Sequence, residues 1–420
     1  MAVVDIRNYR RNSGGDSYEY DREGYIEEEP ERYIDVEADT ERAALIRRSR
    51  LRKFGRALGM VGLIAGLVLL IALQTKSRVF TGADYRRMAD MIVMGDSRSV
   101  ALNGHIVNYS RDGASCVDHT GAFVWSITYE MQQPIVDAAS DVMAIADLGG
   151  SRIYILSSSK IVGTVLTNLP VRRISVSDSG EVAAILEDSD TTWIYLFDSA
   201  GNTIAYFKTT MGQSGYPVSV AVSPSGEMVC VSHLTLGGSK VNSSIAFYNF
   251  GAVGQNVREN NVSGFNYEDE MFPCVKYLTD DTAVAVSDHR IAFFKGEEIP
   301  QSAANIMFSE NIEAVYTGNR YVGVLFPDTT GQEKYSLRVF DLNGIEVSKI
   351  PFTMDYTNIQ INGDRIIIHS DQSLLIYQAN GQLKYEGTFH DMVKALVPVR
   401  NSGNRLLLVT QTGVEQMILE

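Results

Sequence analysis

From about residue 96 to residue 420 the chain consists of short apolar runs separated by polar turns. The runs are four to eight residues long, and many of the turns place Gly next to Asp, Asn or Ser. Such runs are typical of antiparallel β-strands, because a helix needs apolar positions three and four residues apart over a longer stretch. The pattern predicts an all-β body over 96–420.

The same series of runs recurs along this body with a period of about 40 residues. It is clearest in Val100–Gly121 and Ile359–Gly381, each with three apolar runs, an Asn-Gly turn between the first two and a final turn ending in Gly. The turn after the first run falls near residues 104, 141, 180, 226, 281, 319, 363 and 403. This spacing is typical of propeller blades. The sequence predicts a β-propeller of about eight four-stranded blades. Seven is the alternative if the weak copy at Val136, or the first copy, is shared.

The last copy of the repeat, from Val393, has three runs before Glu420. A three-stranded blade leaves an open edge, so a fourth strand is expected from elsewhere in the chain. Residues near Asp90–Gly95 are predicted to supply it and so to join the two ends of the ring. We interpret 76–95 as a linker with a possible ring-closing strand, although Ala83–Met94 has a weakly helical pattern.

Residues 57–75 are predicted to form one transmembrane helix. Ala57–Leu73 carries no charge and has no polar face, and with the next two residues it is long enough for a hydrocarbon core about 30 Å thick. Gly62 and Gly66 form a GxxxG pattern, which permits close helix packing but is also common in isolated membrane helices. A cleaved signal peptide is the alternative, although the preceding segment is too long for a standard one.

Basic residues before this segment predict its orientation. They form a cluster in 42–56 that includes Arg47, Arg48, Arg50, Arg52, Lys53 and Arg56, whereas only Lys76 and Arg78 follow closely on the other side. The positive-inside rule then places the N-terminus in the cytoplasm and the propeller outside it, anchored in the cytoplasmic membrane. Segment 42–56 also suits anionic headgroups, so the lipid bilayer is a predicted partner.

The first part of the cytoplasmic tail, 1–41, is predicted to be disordered. It carries twelve acidic residues between Asp16 and Glu41, with interleaved tyrosines and almost no aliphatic periodicity. Such a segment buries too little apolar surface to offset its conformational entropy. A solubilising tail and a docking motif for a cytoplasmic partner both remain open.

Charge and cysteine content exclude some function classes. The net charge is −14, and residues 57–420 hold 25 basic and 38 acidic side chains, so the body repels nucleic acid. The three cysteines, Cys116, Cys230 and Cys274, are far apart without a CxxC, which argues against a zinc site or a disulfide framework. We expect buried, unreactive thiols, with one disulfide pair as the alternative.

No motif assigns a catalytic, cofactor-binding or metal site. There is no GxSxG elbow and no HxxxH pair. His105, His233, His289 and His369 lie at similar places in their blades, which permits a shared ring of histidines but equally follows from the repeat. Aspartates such as Asp178 and Asp280 lie in turns, where they usually accept backbone hydrogen bonds. We therefore expect no enzyme activity and no cofactor.

The combination of a basic stretch, one anchor helix and blades with degenerate DxxG turns resembles an uncharacterised family. Its members are membrane-anchored propeller proteins of Gram-positive, clostridia-type bacteria. The turns Asp198–Gly201 and Asp341–Gly344 are also similar to those of WD40-like and quinoprotein-like propellers, although these two turns lack Gly-His and Trp-Asp dipeptides. The resemblance implies a location more than an activity.

The favoured function is a non-catalytic scaffold that binds a protein or a cell-wall polymer through one propeller face. The alternative is a ligand sensor or an enzyme with its site in the central channel. A channel lined by apolar and small residues favours the scaffold, whereas converging histidines and carboxylates favour the alternative. Long polar insertions, 234–244, 253–271 and 327–336, mark loops where binding sites are often built.

Overall fold

The computed structural model describes residues 59–66, 79–90 and 97–420, the last range without 190, 213, 238–239, 329–330 and 400–401. The chain divides into two compact units, Met1–Ser77 and Arg78–Glu420. In the first unit, 59–66 form a helix. Within the described ranges no helix is both long and apolar enough to cross a membrane. The rest of the predicted membrane segment lies outside those ranges, and the segment stays a prediction.

The described residues of the second unit form eight antiparallel sheets of four strands, which confirms a propeller of eight blades rather than seven. Blade 1 contains β2 (Arg98–Leu102), β3 (His105–Tyr109), β4 (Gly113–Val117) and β5 (Phe123–Thr128). Blade 2 contains β6 (Pro134–Ala138), β7 (Val142–Asp147), β8 (Arg152–Ser157) and β9 (Ile161–Leu166). Blade 3 contains β10 (Val171–Val176), β11 (Val182–Asp188), β12 (Thr191–Phe197) and β13 (Thr203–Thr209). Blade 4 contains β14 (Tyr216–Val222), β15 (Met228–Gly237), β16 (Lys240–Asn249) and β17 (Asn261–Tyr267), with 3-10 turns at Gly254–Asn256 and Arg258–Asn260.

The second half of the ring repeats the arrangement, with the first strand of each blade innermost. Blade 5 contains β18 (Cys274–Thr279), β19 (Thr282–Val286), β20 (Arg290–Lys295) and β21 (Gln301–Met307). Blade 6 contains β22 (Ala314–Thr317), β23 (Tyr321–Pro327), β24 (Tyr335–Asp341) and β25 (Glu346–Phe352). Blade 7 contains β26 (Asn358–Asn362), β27 (Arg365–His369), β28 (Ser373–Gln378) and β29 (Leu383–Thr388). Blade 8 contains β30 (Val393–Pro398), β31 (Arg405–Thr410) and β32 (Gly413–Leu419), and its outer strand is β1 (Ala83–Asp90).

Strand β1 closes the ring by pairing antiparallel with β32, from Ala83 opposite Leu419 to Asp90 opposite Gly413. The ring therefore closes as expected, but with a segment that begins earlier than the predicted 90–95. The helical interpretation of 83–94 is wrong over the eight residues of β1. A bulge between Arg87 and Ala89 shifts the register. Tyr85 packs toward blade 7 and Met88 toward blade 1, and the half-buried positions 85, 88 and 89 have the spacing of a helix face.

Eight hydrophobic clusters of described residues fill the eight gaps between successive blades. Side chains alternate between the two faces of a strand, so Met143 packs toward blade 1 and Ala144 toward blade 3. Strands buried on both faces are apolar at consecutive positions, which explains the continuous runs in the sequence. The last cluster joins Leu407 of blade 8 to Ile106 of blade 1.

Glycines in the turns between third and fourth strands bring successive blades close together. Gly201 has φ +94°, and a Cβ there would collide with the backbone carbonyl oxygen of Thr164 in the outer strand of blade 2. Gly121 has φ +82°, and a Cβ there would collide with the Cβ of Ala89 in β1, the outer strand of blade 8. Asp198 holds the turn of Gly201 by accepting hydrogen bonds from the backbone N–H of Ala200 and Asn202, at 2.9 and 2.8 Å.

We predict that Gly201→Ala destabilises the protein by about 3 kcal/mol, because it combines left-handed backbone strain with a steric collision. Gly104→Ala is the matched control, since Gly104 also has positive φ, +81°, but has open space around it. The control should cost about 1 kcal/mol, the backbone strain alone. Denaturant unfolding measures both changes. If the two variants lose the same free energy of unfolding, the close contact between the blades at Gly201 does not contribute to stability.

Candidate functional site

The propeller has two faces with different components. The turn face carries the turns between strands 1 and 2 and between strands 3 and 4 of each blade. The connection face carries the turns between strands 2 and 3 and the connections from each blade to the next. The chain enters the propeller at the turn face, just before β1. There the backbone N–H of Thr81 donates a hydrogen bond to the carbonyl oxygen of Glu420 at 2.8 Å, and the N–H of Glu420 donates one to the carbonyl oxygen of Gly82 at 2.9 Å.

An ion pair crosses the central channel between blades that are not neighbours. Lys276 on β18 of blade 5 contacts the carboxylate of Asp137 on β6 of blade 2. Burial alone would lower the pKa of Lys276, but the attraction of Asp137 outweighs it, so this pKa lies above its ordinary value. The pair lines a cavity of about 390 Å³ at the turn face.

Other carboxylates at the channel mouth link neighbouring blades. Asp178 of blade 3 accepts hydrogen bonds from the backbone N–H and the hydroxyl of Ser140 in blade 2, at 2.9 and 3.0 Å. Asp280 of blade 5 accepts one from the backbone N–H of Ser225 in blade 4, at 2.7 Å. The expectation that turn aspartates satisfy backbone donors holds, but for these two the donor belongs to the adjacent blade. The channel mouth is polar and not the apolar lining expected for a scaffold.

The four histidines at similar places in their blades do not converge. His233 is buried between strands, with its Nε2 3.4 Å from the Tyr248 hydroxyl, and burial lowers its pKa to about 4. His369 is also buried, and its Nδ1 lies 3.0 Å from the Ser370 carbonyl oxygen. His105 lies at the turn face and His289 at the connection face. Across the described part of the chain, no three His, Cys, Asp or Glu side chains are placed to hold a metal ion.

All three cysteines are free thiols within the propeller. Cys116 and Cys230 are buried, and burial raises the pKa of Cys116 to about 12 and that of Cys230 further still. Because the thiolate is the nucleophile, these two sulfurs are unreactive at neutral pH. Cys274 is half-buried, with its pKa raised mainly by burial.

A cavity larger than the one at the channel mouth lies on the connection face, around the start of blade 5. This blade-5 groove has a volume of about 700 Å³. Its floor is apolar, and three acidic side chains stand on its rim. The floor consists of Val241, Met271, Pro273, Ile312, Ala314 and Val315, and the rim of Asp269, Asp288 and Glu313.

Two insertions in blade 4 build one side of the groove. The long hairpin of β15 and β16 contributes Val241, and the connection from blade 4 to blade 5 contributes Met271. The sequence predicts exposed loops suited to a binding site at the insertions 234–244 and 253–271. The first borders the groove through Val241, although its residues 234–237 and 240–244 are strand rather than loop. Of the second, only the end, 269–271, lines the groove, because 253–260 lie in the β16–β17 turn on the turn face and 261–267 belong to β17.

A buried ion pair fixes the connection beneath the groove. The Glu270 carboxylate is 4% exposed and accepts hydrogen bonds from Arg290 Nε at 2.9 and 3.0 Å. It also accepts one from the Ser287 hydroxyl at 2.6 Å. The Ser243 hydroxyl donates to the Glu270 carbonyl oxygen at 2.9 Å, and Phe272 is fully buried beside it. The backbone that carries Met271 is therefore held from both sides.

These features define an eight-bladed β-propeller with an ion pair across its channel and an open groove on one face. The model of a family of unknown function, DUF5711, matches residues 76–419, so the chain belongs to that family. No curated protein matches the chain.

Solved structures show the same fold at low identity. Sqt1 from Chaetomium thermophilum is 12% identical with a TM-score of 0.53, over 81% of this chain and 100% of that one. The computationally designed Ika8 protein is 10% identical with a TM-score of 0.52, over 80% and 100%. BamB from Moraxella catarrhalis is 14% identical with a TM-score of 0.46, also over 80% and 100%. At these identities the likeness concerns the fold alone. It confirms the β-propeller fold, whereas the membrane anchor and the bacterial group stay predictions.

The residues assigned to the anchor from the sequence fall mostly outside the described ranges. Ala57 and Leu73 lie there, as does the basic cluster Arg47, Arg48, Arg50, Arg52, Lys53 and Arg56. Gly62 and Gly66 lie within the helix over 59–66, with open space where a Cβ would be added.

We predict that Lys276→Met lowers the free energy of unfolding by about 1–2 kcal/mol, because it leaves Asp137, 14% exposed, without its cation. The value stays below that of a fully buried pair, since Lys276 is 39% exposed and partly screened. The pKa of Lys276 is raised on folding, so this contribution is complete below the ordinary lysine pKa and is lost as pH rises through the folded value.

Lys334→Met is the matched control for this prediction. Lys334 pairs with Asp355 on the surface, where the two side chains are 51% and 80% exposed. Its loss should leave the stability almost unchanged, because an exposed pair is screened by solvent. Urea unfolding at neutral pH compares the two variants. If Lys276→Met is no more damaging than the control, the pair does not hold blades 2 and 5 together.

Proposed function

We propose that this protein is a single-pass membrane protein whose propeller is a non-catalytic scaffold outside the cytoplasm. Its N-terminus lies in the cytoplasm, and the scaffold binds a partner protein through the connection face. The single observation that carries the scaffold function is the blade-5 groove, a large apolar site that the fold leaves uncovered.

The anchor is supported by sequence and by the helix that the structure describes. Residues 57–75 are uncharged, and a basic cluster precedes them. Within 59–66, Met60, Val61, Leu63 and Ile64 are 56–72% exposed, so this helix presents apolar side chains outward. A helix that is apolar on its outside needs an apolar surrounding such as a bilayer.

The charge of the body favours a protein over a polyanionic wall polymer as the partner. Residues 57–420 carry 25 basic and 38 acidic side chains, so a phosphate-rich polymer meets net repulsion. Residues on the connection face that are exposed and apolar, such as Met271 and Leu236, add a surface that a protein partner covers well.

A ligand sensor or enzyme with its site in the channel is the second candidate. Three carboxylates, Asp137, Asp178 and Asp280, meet at the channel mouth beside a cavity of about 390 Å³. Each of them already accepts hydrogen bonds from a neighbouring blade, and Asp137 is paired with Lys276. These bonds make the carboxylates part of the framework, so the scaffold is the better supported function.

Photocrosslinking in intact cells tests the scaffold function with the full-length protein. A photoreactive amino acid at Met271 on the connection face should capture a discrete protein. The same amino acid at Ile345, 62% exposed on the turn face, is the matched control and should capture little. An anchor-only chain of residues 1–78 defines the background. Capture from Met271 no greater than this background would contradict the proposal.

The predicted orientation is checked in the same cells by protease treatment of protoplasts. The body should be lost while the tail is protected. A protected body would overturn the extracytoplasmic location without bearing on the groove.

A further inference from the structure

We propose that the blade-5 groove binds a cationic, amphipathic peptide segment of a partner protein. An apolar side chain of that segment enters the floor, and its Lys or Arg side chains lie against the rim. The inference rests on the scaffold function proposed above and names the chemistry of the partner. The floor, the rim and the fixed shape of the groove each favour this occupant.

The floor of the groove exposes apolar side chains at a concave site. Met271 and Val241 are 45% and 37% exposed, and Ile312 and Val315 beside them are half-buried. The volume of about 700 Å³ is ample for one or two bulky side chains. Covering this surface with a Leu or Phe side chain removes apolar area of both partners from water. The floor therefore selects an apolar anchor.

The rim of the groove is acidic. Asp269 and Asp288 are 64% and 67% exposed, and Glu313 is exposed as well. One lysine, Lys240, pairs with Asp269 at 3.2 Å. Asp288 contacts Nδ1 of His289 at 2.7 Å. Three carboxylates against one lysine leave the rim negative, so it attracts a cationic segment and repels an anionic one.

The groove is formed before any partner arrives. The connection that carries Met271 is fixed on one side by the Glu270–Arg290 pair and on the other by the hydroxyl of Ser243. Arg290 also lies over the ring of Tyr267, 5.5 Å from its centre. A preformed site loses little conformational entropy when a partner binds.

The test uses the purified full-length chain in nanodiscs of zwitterionic phosphatidylcholine, which offer a cationic probe no anionic lipid. The probe is a fluorescent nine-residue peptide with a central Leu-Leu pair flanked by lysines, followed by anisotropy. Two comparison peptides replace the leucines by serine or the lysines by glutamate. We expect binding of the Lys/Leu peptide alone, weakened by added salt.

Two groove variants separate the floor from the rim. Met271→Ser combined with Val241→Ser should weaken binding about tenfold by removing apolar contact. Asp288→Asn combined with Glu313→Gln should weaken it about fivefold and reduce the effect of salt. All four positions are exposed, so the variants should unfold at the same temperature as the natural chain.

Control variants carry the same kinds of change away from the groove. Ile345→Ser removes an exposed apolar side chain on the turn face, and Asp112→Asn removes an exposed carboxylate of blade 1. Both should bind the peptide as the natural chain does. If the groove variants bind the peptide as tightly as the natural chain does, the peptide binds to other acidic parts of the chain, and the proposal is overturned. Absence of binding, or equal binding of the Glu/Leu peptide, would also overturn it. A partner still captured from Met271 would then leave the scaffold function standing and discard only the cationic peptide.

Discussion

The pairing of β1 with β32 is the constraint on which the rest of the propeller depends. Every blade is apolar on both faces, so each must have a neighbour on both sides, and a row of eight blades satisfies this only when it closes. Consecutive segments near the end of the chain, β30 to β32, give blade 8 three strands, so closure requires a fourth strand from elsewhere. The strand Ala83–Asp90 supplies it from the opposite end of the sequence and is paired over its length with Gly413–Leu419.

Several smaller features follow from the closed ring. Glycines with positive φ, such as Gly121 and Gly201, let the turns of one blade approach the outer strand of the blade before it. Carboxylates at the channel mouth bind backbone N–H groups across blade boundaries, and Lys276 reaches Asp137 on the far side of the channel. The channel is thereby part of the framework. The site left for a partner is then the connection face, where blade 4 departs from the common pattern with the longer hairpin of β15 and β16.

Much of this architecture could be predicted because it depends on local patterns. Apolar runs and Gly turns recur in every blade, so the class of fold and the number of blades followed from the repeat. The strand β1 was harder to recognise, because its half-buried residues Tyr85, Met88 and Ala89 have the spacing of a helix face, although Tyr85 packs toward blade 7 and Met88 toward blade 1. Lys276 and Asp137 are 139 residues apart, and no local pattern marks them as partners. The insertions in blade 4 marked two of the segments around the groove, but its acidic rim and apolar floor also draw on the β19–β20 turn and on the connection from blade 5 to blade 6.

The measurement that tests this account most directly compares two N-terminal truncations in thermal unfolding. A chain that begins at Val79 keeps β1. A chain that begins at Met91 lacks β1, so β32 becomes the unpaired outer strand of blade 8. The first should unfold in one transition at the temperature of the full propeller. The second should unfold at a much lower temperature or associate through its exposed edge. Equal unfolding temperatures for the two chains would contradict the claim that β1 closes and stabilises the ring.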